Sequence, residues 1–387
     1  MFQDKYVFAQ LTAFLNRTQF NNYVRKYDGN RYVKHFTCWN QLLAMMFGQL
    51  SNRESLRDLI VALEAHRAKQ YHLGLGRNTI VKATLAYANQ TRDYRIFEDF
   101  AFYMMKEACK KRETNILNIP GKKYAFDSTT IPLCLATFPW AKFRSKKGGV
   151  KAHVLYDVEA QVPAFYTVTT ASKHDSTAMS SITYEPNSYY IFDRAYDTFK
   201  ELYKIHLTGS YYVVRAKTNL KYKMVKWKRR MPKNVLTDAE VKLTGYLSEK
   251  KYPESFRFIR YYDEEDDREF TFLTNAMHLS ALDVANLYKK RWLVELFFKW
   301  LKQHLKIKRF WGTTKNAVRI QISVAIITYC LVAIVHHDMQ LKRSTYEVLQ
   351  ILSISLTDKT NLRDLFDKTI FNDVKELDYP LFKGLFD

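Results

Sequence analysis

Apolar residues recur at helical spacing through most of the first 119 positions. HFTCWNQLLAMMFGQL reads as a core helix, and SNRESLRDLIVALEAHR opens with Ser51 and Glu54 in the register of a capping box. GLGRNTIVKATLAYANQ offers two glycines, an N-cap at Asn78 and a short helix, the pattern of a helix-turn-helix reader or of an ordinary small helical bundle. Another amphipathic helix runs from Tyr94 to Lys111. At Lys122 the period changes. KKYAFDSTTIPL, VKAHVLYDVEA, VPAFYTVTTA and SYYIFDRAY are β-branched and aromatic runs between turn residues, hence strands. DTFKELYKIHL follows as a helix and SYYVVRAK as a further strand, which predicts a mixed α/β sheet. Residues 218 to 278 alternate in strand fashion with no helix among them, a β-rich insertion that opens on a basic cluster around Tyr222 and Trp227. Beyond Ser280 the chain returns to helix.

One stretch of that last region breaks the apolar pattern. YKKRWLVELFFKWLK carries Trp292, Leu293, Val294, Leu296, Phe297, Phe298, Trp300 and Leu301, yet places Glu295 in its middle. At about 100° per residue, Tyr288, Arg291, Glu295, Lys299, Lys302 and Lys306 fall on one narrow stripe of a continuous helix. A solvated stripe braced by i,i+4 ion pairs is the ordinary explanation for such a line. One carboxylate among four basic side chains makes a poor ladder of that kind. It makes a good row of phosphate contacts beside a metal-binding carboxylate.

Charge strengthens the second explanation. The 387 residues hold 61 Lys and Arg against 39 Asp and Glu, a formal charge of +22. A polyanionic partner accounts for such an excess, nucleic acid first and a membrane surface second. The N-terminus lacks the basic-then-apolar order of a secretory signal. The most apolar run, Ile322 to Val335, is too short to span a bilayer and reads as a core helix. Four scattered cysteines show no metal-ligand spacing and are expected as reduced thiols. These features predict a soluble, cytoplasmic protein that binds DNA and no membrane.

Phosphate chemistry on a metal needs converging acids. Asp127 in YAFDSTTI and Asp193 in YYIFDRAY each follow an aromatic strand, which sets them at strand carboxyl ends, where ligands of open α/β sheets gather. Asp157, Asp175 and Asp197 are competing acids in apparent turns. Two strand aspartates, a β insertion, and then a helix carrying Y-x2-R-x3-E-x6-K together resemble the DDE transposases of bacterial insertion sequences. More narrowly they resemble the fourth insertion-sequence family, whose signature here is Tyr288, Arg291, Glu295 and Lys302. The resemblance covers about residues 120 to 340. One departure is Arg194-Ala195-Tyr196 after the second aspartate, where the family commonly has Arg-Gly-Tyr. No clear equivalent appears for the tryptophan that some relatives use to capture a flipped base; Trp227 matches by type only.

The resemblance implies a ribonuclease-H-like mixed-sheet core in two parts, residues 120–217 and 279–340, interrupted by the 218–278 insertion. An N-terminal helical DNA-binding domain (1–119) and a helical C-terminal tail (341–387) complete it. It implies that Asp127, Asp193 and Glu295 bind two divalent metals, Mg²⁺ or in its place Mn²⁺. Tyr288, Arg291 and Lys302 would then hold phosphates of the transposon end; the stripe adds Lys299 and Lys306. The expected partners are terminal inverted repeats and target DNA, engaged by a homodimer at the bacterial nucleoid. The expected reaction is metal-dependent cleavage at the element's ends followed by strand transfer, through a hairpin in well-studied relatives. Two rivals remain open to the sequence: a nuclease of the same fold that only cuts, and a non-catalytic, domesticated DNA-binding protein.

Overall fold

The computed structural model describes residues 4–114, 117–144, 147–196, 198–304, 307 and 309–367. Six helices open the chain: α1 Val7–Thr12, α2 Arg17–Lys26, α3 Cys38–Leu50, α4 Leu56–Ala65, α5 Lys82–Thr91 and α6 Arg95–Lys111. Two starts differ from the sequence expectation. The N-cap of α4 is Ser55, which accepts from the Asp58 amide, while Ser51 closes α3 instead. Asn78 caps nothing: α5 begins after Val81, without a side-chain cap. In both places several polar residues compete for the cap, and only packing of the apolar face selects the register.

The strands are β1 Lys123–Leu133, β2 Lys142–Arg144, β3 Lys147–Asp157, β4 Val162–Thr170, β5 Tyr189–Phe192, β6 Tyr211–Arg215, β7 Tyr222–Trp227, β8 Val235–Leu243, β9 Phe256–Asp263 and β10 Arg268–Thr274. They form one mixed sheet in the order β2-β3-β1-β5-β6-β10-β9-β8-β7, with β4 also on β3. β1, β3 and β4 are antiparallel neighbours; β5 and β6 continue from β1 in parallel. The parallel steps need crossovers, supplied by α7 Asp175–Met179 and α8 Phe199–Leu207. The 218–278 strands are not set apart from this sheet, because β10 pairs with β6 through Phe272 to Thr274. α9 Tyr246–Lys251 joins β8 to β9.

Entry into β1 depends on one glycine. Gly121 has φ +89°, and a Cβ there would lie 1.9 Å from the Asn187 carbonyl oxygen, in the segment leading into β5. Such a close approach of backbones, in left-handed geometry, suits glycine alone.

The remaining helices are α10 Ala281–Lys289, α11 Trp292–His304, α12 Lys315–Asp338, α13 Thr345–Ser355 and α14 Leu362–Phe366. As expected for Ile322 to Val335, α12 is a core helix, buried along that whole run, although by length and composition it would also reach across a bilayer. It packs on α6, α3 and α5. One apolar cluster therefore joins the N-terminal helices, α11 to α14 and one face of β1, β3 and β4. A second lies between the sheet and α7 and α8, and a third seats α10 against β5, β6 and β8 to β10. The cysteines are free thiols. Residues 368–387 of the expected C-terminal tail lie outside the described residues.

Candidate active site

Paired residues fix where the two strand acids stand. Parallel pairing of β1 with β5 runs from Lys123↔Tyr189 to Phe126↔Phe192, so Asp127 and Asp193 both come one residue beyond its end. Asp193 is at the carboxyl end of β5, as expected. Asp127 is not at a strand end: β1 continues along β3 as far as Leu133. Alternation sends Phe126 and Phe192 into the cluster under α7 and α8, and the next residue in each strand to the opposite side.

α10 and α11 cover that opposite side, and they are not the single helix that the stripe assumed. α10 ends at Lys289; the Arg291 amide donates to the Tyr288 carbonyl at 3.0 Å, a tightened turn, before α11 begins at Trp292. No proline or glycine marks the break. Its effect is to aim two side chains at three acids. The Tyr288 hydroxyl donates to Asp193 Oδ1 at 3.1 Å. The Arg291 guanidinium donates to Asp127 Oδ2 at 3.1 Å and to Glu295 Oε1 at 2.5 Å. Tyr288 and Arg291 thus point inward at carboxylates.

The electrostatics follow from this crowding. Burial pushes the Asp127 carboxyl up to about 6, opposed by the Ser128 amide and Arg291 and reinforced by the negative charges of Glu295 and Asp193. Asp127 therefore feels both of the other acids. Burial, with Asp193 adding to it, pushes the Tyr288 phenol up to about 12, so it stays a donor at neutral pH. Among the described residues no three acidic, imidazole or thiol side chains are arranged to hold one ion. The acids nonetheless fit a divalent cation by type. They are hard oxygen donors, and one cationic group already bridges Asp127 and Glu295.

Beside them is an open cleft of about 440 Å³ lined by Asp127, Ser128, Thr129, Glu295, Phe298, Lys299, Lys302 and Gln303. Lys299 and Lys302 thus share the acids' cleft, whereas Lys306 lies outside the described residues. Two residues expected inside, Trp292 and Leu296, are 57% and 44% exposed and widen the accessible face of α11. Their apolar character hid this, since among its described side chains α11 buries only Val294, Phe297, Phe298, Trp300 and Leu301.

The structure adds residues that motif spacing missed. Ser128 donates its amide to Asp127 Oδ1 at 2.8 Å and its hydroxyl to Asp175 Oδ1 at 2.7 Å. Lys151 Nζ holds the same Asp175 oxygen at 2.9 Å. Asp175, read as a turn acid, is therefore a brace behind Asp127. Lys151 and His153 come into reach because β3 sets them opposite Thr130 and Ser128. Arg215, at the end of β6, lies in the electrostatic field of Asp193 and Tyr288. Alternate positions in β1 and β3 were the available signal. Asp157 does not join: it accepts the Glu159 and Ala160 amides in the β3–β4 turn. Asp197 lies outside the described residues.

Known proteins are similar to this chain. A family model described as a transposase DDE domain matches residues 120–331, and a domain of unknown function matches residues 3–76. A protein of Sinorhizobium fredii described as a transposase is 34% identical over 244 residues, covering 62% of this chain and 67% of its own length. A transposase for insertion sequence element IS5377 of Geobacillus stearothermophilus is 30% identical over 246 residues, 63% of this chain and 64% of its own. Among solved structures, the piggyBac transposase in a synaptic complex with hairpin DNA is similar in fold. The TM-score is 0.50 at 12% identity, over 95% of this chain and 83% of that one. Matched over more than half its length, the chain belongs to the transposase DDE domain family: it is a DDE transposase of the insertion-sequence kind, which cleaves DNA and transfers the cut strand.

Proposed function

We propose that Asp127, Asp193 and Glu295 are the catalytic acids, and that the chain is of the fourth insertion-sequence family, with Tyr288, Arg291, Glu295 and Lys302 as its signature. The observation that carries this reading is the meeting of three distant segments: Arg291 bridges Asp127 to Glu295 while Tyr288 holds Asp193. The three acids would hold two divalent cations, Mg²⁺ in the first place. Bound there, such ions lower the pKa of an attacking water and stabilise the leaving oxygen of an in-line displacement. The chain's own side chains do the rest. Tyr288 orients Asp193. Ser128, braced by Asp175 and Lys151, orients Asp127. The guanidinium fork of Arg291 matches two phosphate oxygens as well as two carboxylates, so incoming DNA competes for it. Lys299 and Lys302, which line the cleft, grip the flanking backbone, with Lys306 joining them on the strength of its position in the sequence stripe.

The strand order β4-β3-β1-β5-β6, antiparallel and then parallel, supports a ribonuclease-H-like core. In this reading the 218–278 strands are an insertion that extends it. Residues 1–119 are the DNA-binding domain; they carry a groove of about 760 Å³ whose lining includes Arg31, Lys34, Arg77 and Arg92, with Tyr32 and Tyr87 exposed. Bridging two transposon ends calls for two copies, so the active species is a DNA-bound homodimer, in the bacterial cytoplasm at the nucleoid.

Asp193→Ala tests the assignment. Mg²⁺-dependent cleavage of DNA carrying the element's ends should vanish while binding of that DNA persists. Undiminished cutting by the variant would overturn the catalytic role.

A further inference from the structure

The basic cluster that opens the 218–278 region has no part in the site described so far. Residues 217 to 233 contain eight Lys and Arg and no acid. β7, within it, is an outermost strand of the sheet, and every residue from Lys223 to Arg230 is exposed. Lys228 pairs with Asp238 at 3.0 Å and Lys233 with Glu264 at 3.0 Å. Lys223, Lys226, Arg229 and Arg230 make no ion pair with a carboxylate among the described residues.

Sheet register tells where this cluster stands. Phe126 pairs with Phe192, Phe192 with Val214, Val214 with Leu273, Leu273 with Phe258, Phe258 with Ala239, and Ala239 with Trp227. The row that ends just before Asp127 and Asp193 thus ends, at the far side of the sheet, just before Lys228. Four antiparallel pairings separate β6 from β7, so β7 runs in the direction of β1 and β5. Its carboxyl end opens on the same edge of the sheet as the two aspartates. Six strand spacings set it no more than about 29 Å from β1, eight or nine base pairs of duplex.

Lysines on an unpaired edge also keep sheets from pairing edge to edge. That accounts for Lys223 and Lys226. It does not account for Arg229 and Arg230, which lie past the strand, nor for Trp227 left 65% exposed. A second copy of the same edge would bring two unrelieved positive stretches together, so a polyanion is the better occupant.

We propose that the β7 edge and the segment 228–233 form a further phosphate-binding surface for duplex DNA, which crosses the sheet's edge between this cluster and the carboxylates. The proposal rests on the DNA-cleaving reading of the site and adds where the duplex lies beyond it.

The full chain is titrated with a labelled random-sequence duplex of about 30 base pairs across a salt series, followed by fluorescence anisotropy. Arg229→Ala with Arg230→Ala should weaken binding and make the slope of log K against log salt shallower by about 2, one unit for each phosphate no longer neutralised. Lys250→Ala with Lys251→Ala removes the same charge from α9, which follows β8 at the opposite edge of the sheet, and should leave the slope as it is. Identical slopes for wild type and the arginine pair overturn the proposal. So does an equal change in both pairs, which would be a bulk-charge effect. A change in mass by light scattering without a change in slope makes the edge an interface between copies and overturns it as well. Should the alanine pair melt early by circular dichroism, Arg229→Gln with Arg230→Gln carries the same test. Mg²⁺-dependent cutting of plasmid by the wild type separates the two levels: if it persists while the slope test fails, only this surface falls.

Discussion

Behind the acids, His153 sits fully buried on β3, bonded through Nε2 to Thr169 at 2.9 Å. Burial pushes its imidazole down to about 4, against the pull of Asp175. In the unfolded chain the ring protonates near its ordinary value of 6.5, so the contribution of His153 to stability is constant above that pH and falls as pH drops from there toward 4. At about 1.4 kcal/mol per unit, roughly 2 kcal/mol is lost by about pH 5. Urea unfolding of wild type and His153→Gln at about pH 7 and 5 should show the variant losing less on acidification; equal losses would place the acid sensitivity elsewhere. Lys299 makes a separate expectation. It lines the cleft with Asp127 and Glu295, so Lys299→Ala should reduce the salt slope of end-DNA binding by about 0.9, the share of one neutralised phosphate. The individual acids were legible because an aspartate inside an aromatic strand is unfavourable without a purpose. The brace of Ser128, Asp175 and Lys151 was not, because its members lie 23 or more positions apart and carry no spacing rule.

Two junctions decide whether those side chains meet. Gly121 admits the backbone of Asn187 at the entry to the β1–β5 pair, the pair that levels Asp127 with Asp193. Gly121→Ala should therefore destabilise the protein by about 2 kcal/mol or more, through left-handed strain and a backbone clash. A urea midpoint equal to wild type would show that the turn relaxes freely. The turn between α10 and α11 is the other. A continuous helix placed Tyr288, Arg291 and Glu295 on one stripe, and they do act together, but through a tightened turn at Lys290–Arg291. Periodicity tolerates such a break since it shifts the stripe by only part of a turn. Apolar character alone put Trp292 and Leu296 in the core, and the fold leaves both exposed.

Across the whole chain, charge and topology point the same way. A net +22 and cations in three places, the N-terminal groove, the cleft and the β7 edge, predict DNA binding dominated by phosphate contacts. With six or more such contacts, affinity for random duplex should fall at least about 10³-fold between about 50 and 200 mM salt. A shallow dependence would mean that much of this charge never meets DNA. The order of helices and strands, the acids and the basic helix could be read from residue patterns, because burial imposes a period on each element wherever it packs. Pairing between distant strands leaves no such local trace. That the 218–278 strands continue the main sheet, that Lys228 stands in the row following Phe126 and Phe192, and that Arg291 spans Asp127 and Glu295 depend on contacts between residues far apart in the chain. Only the folded backbone brings those together.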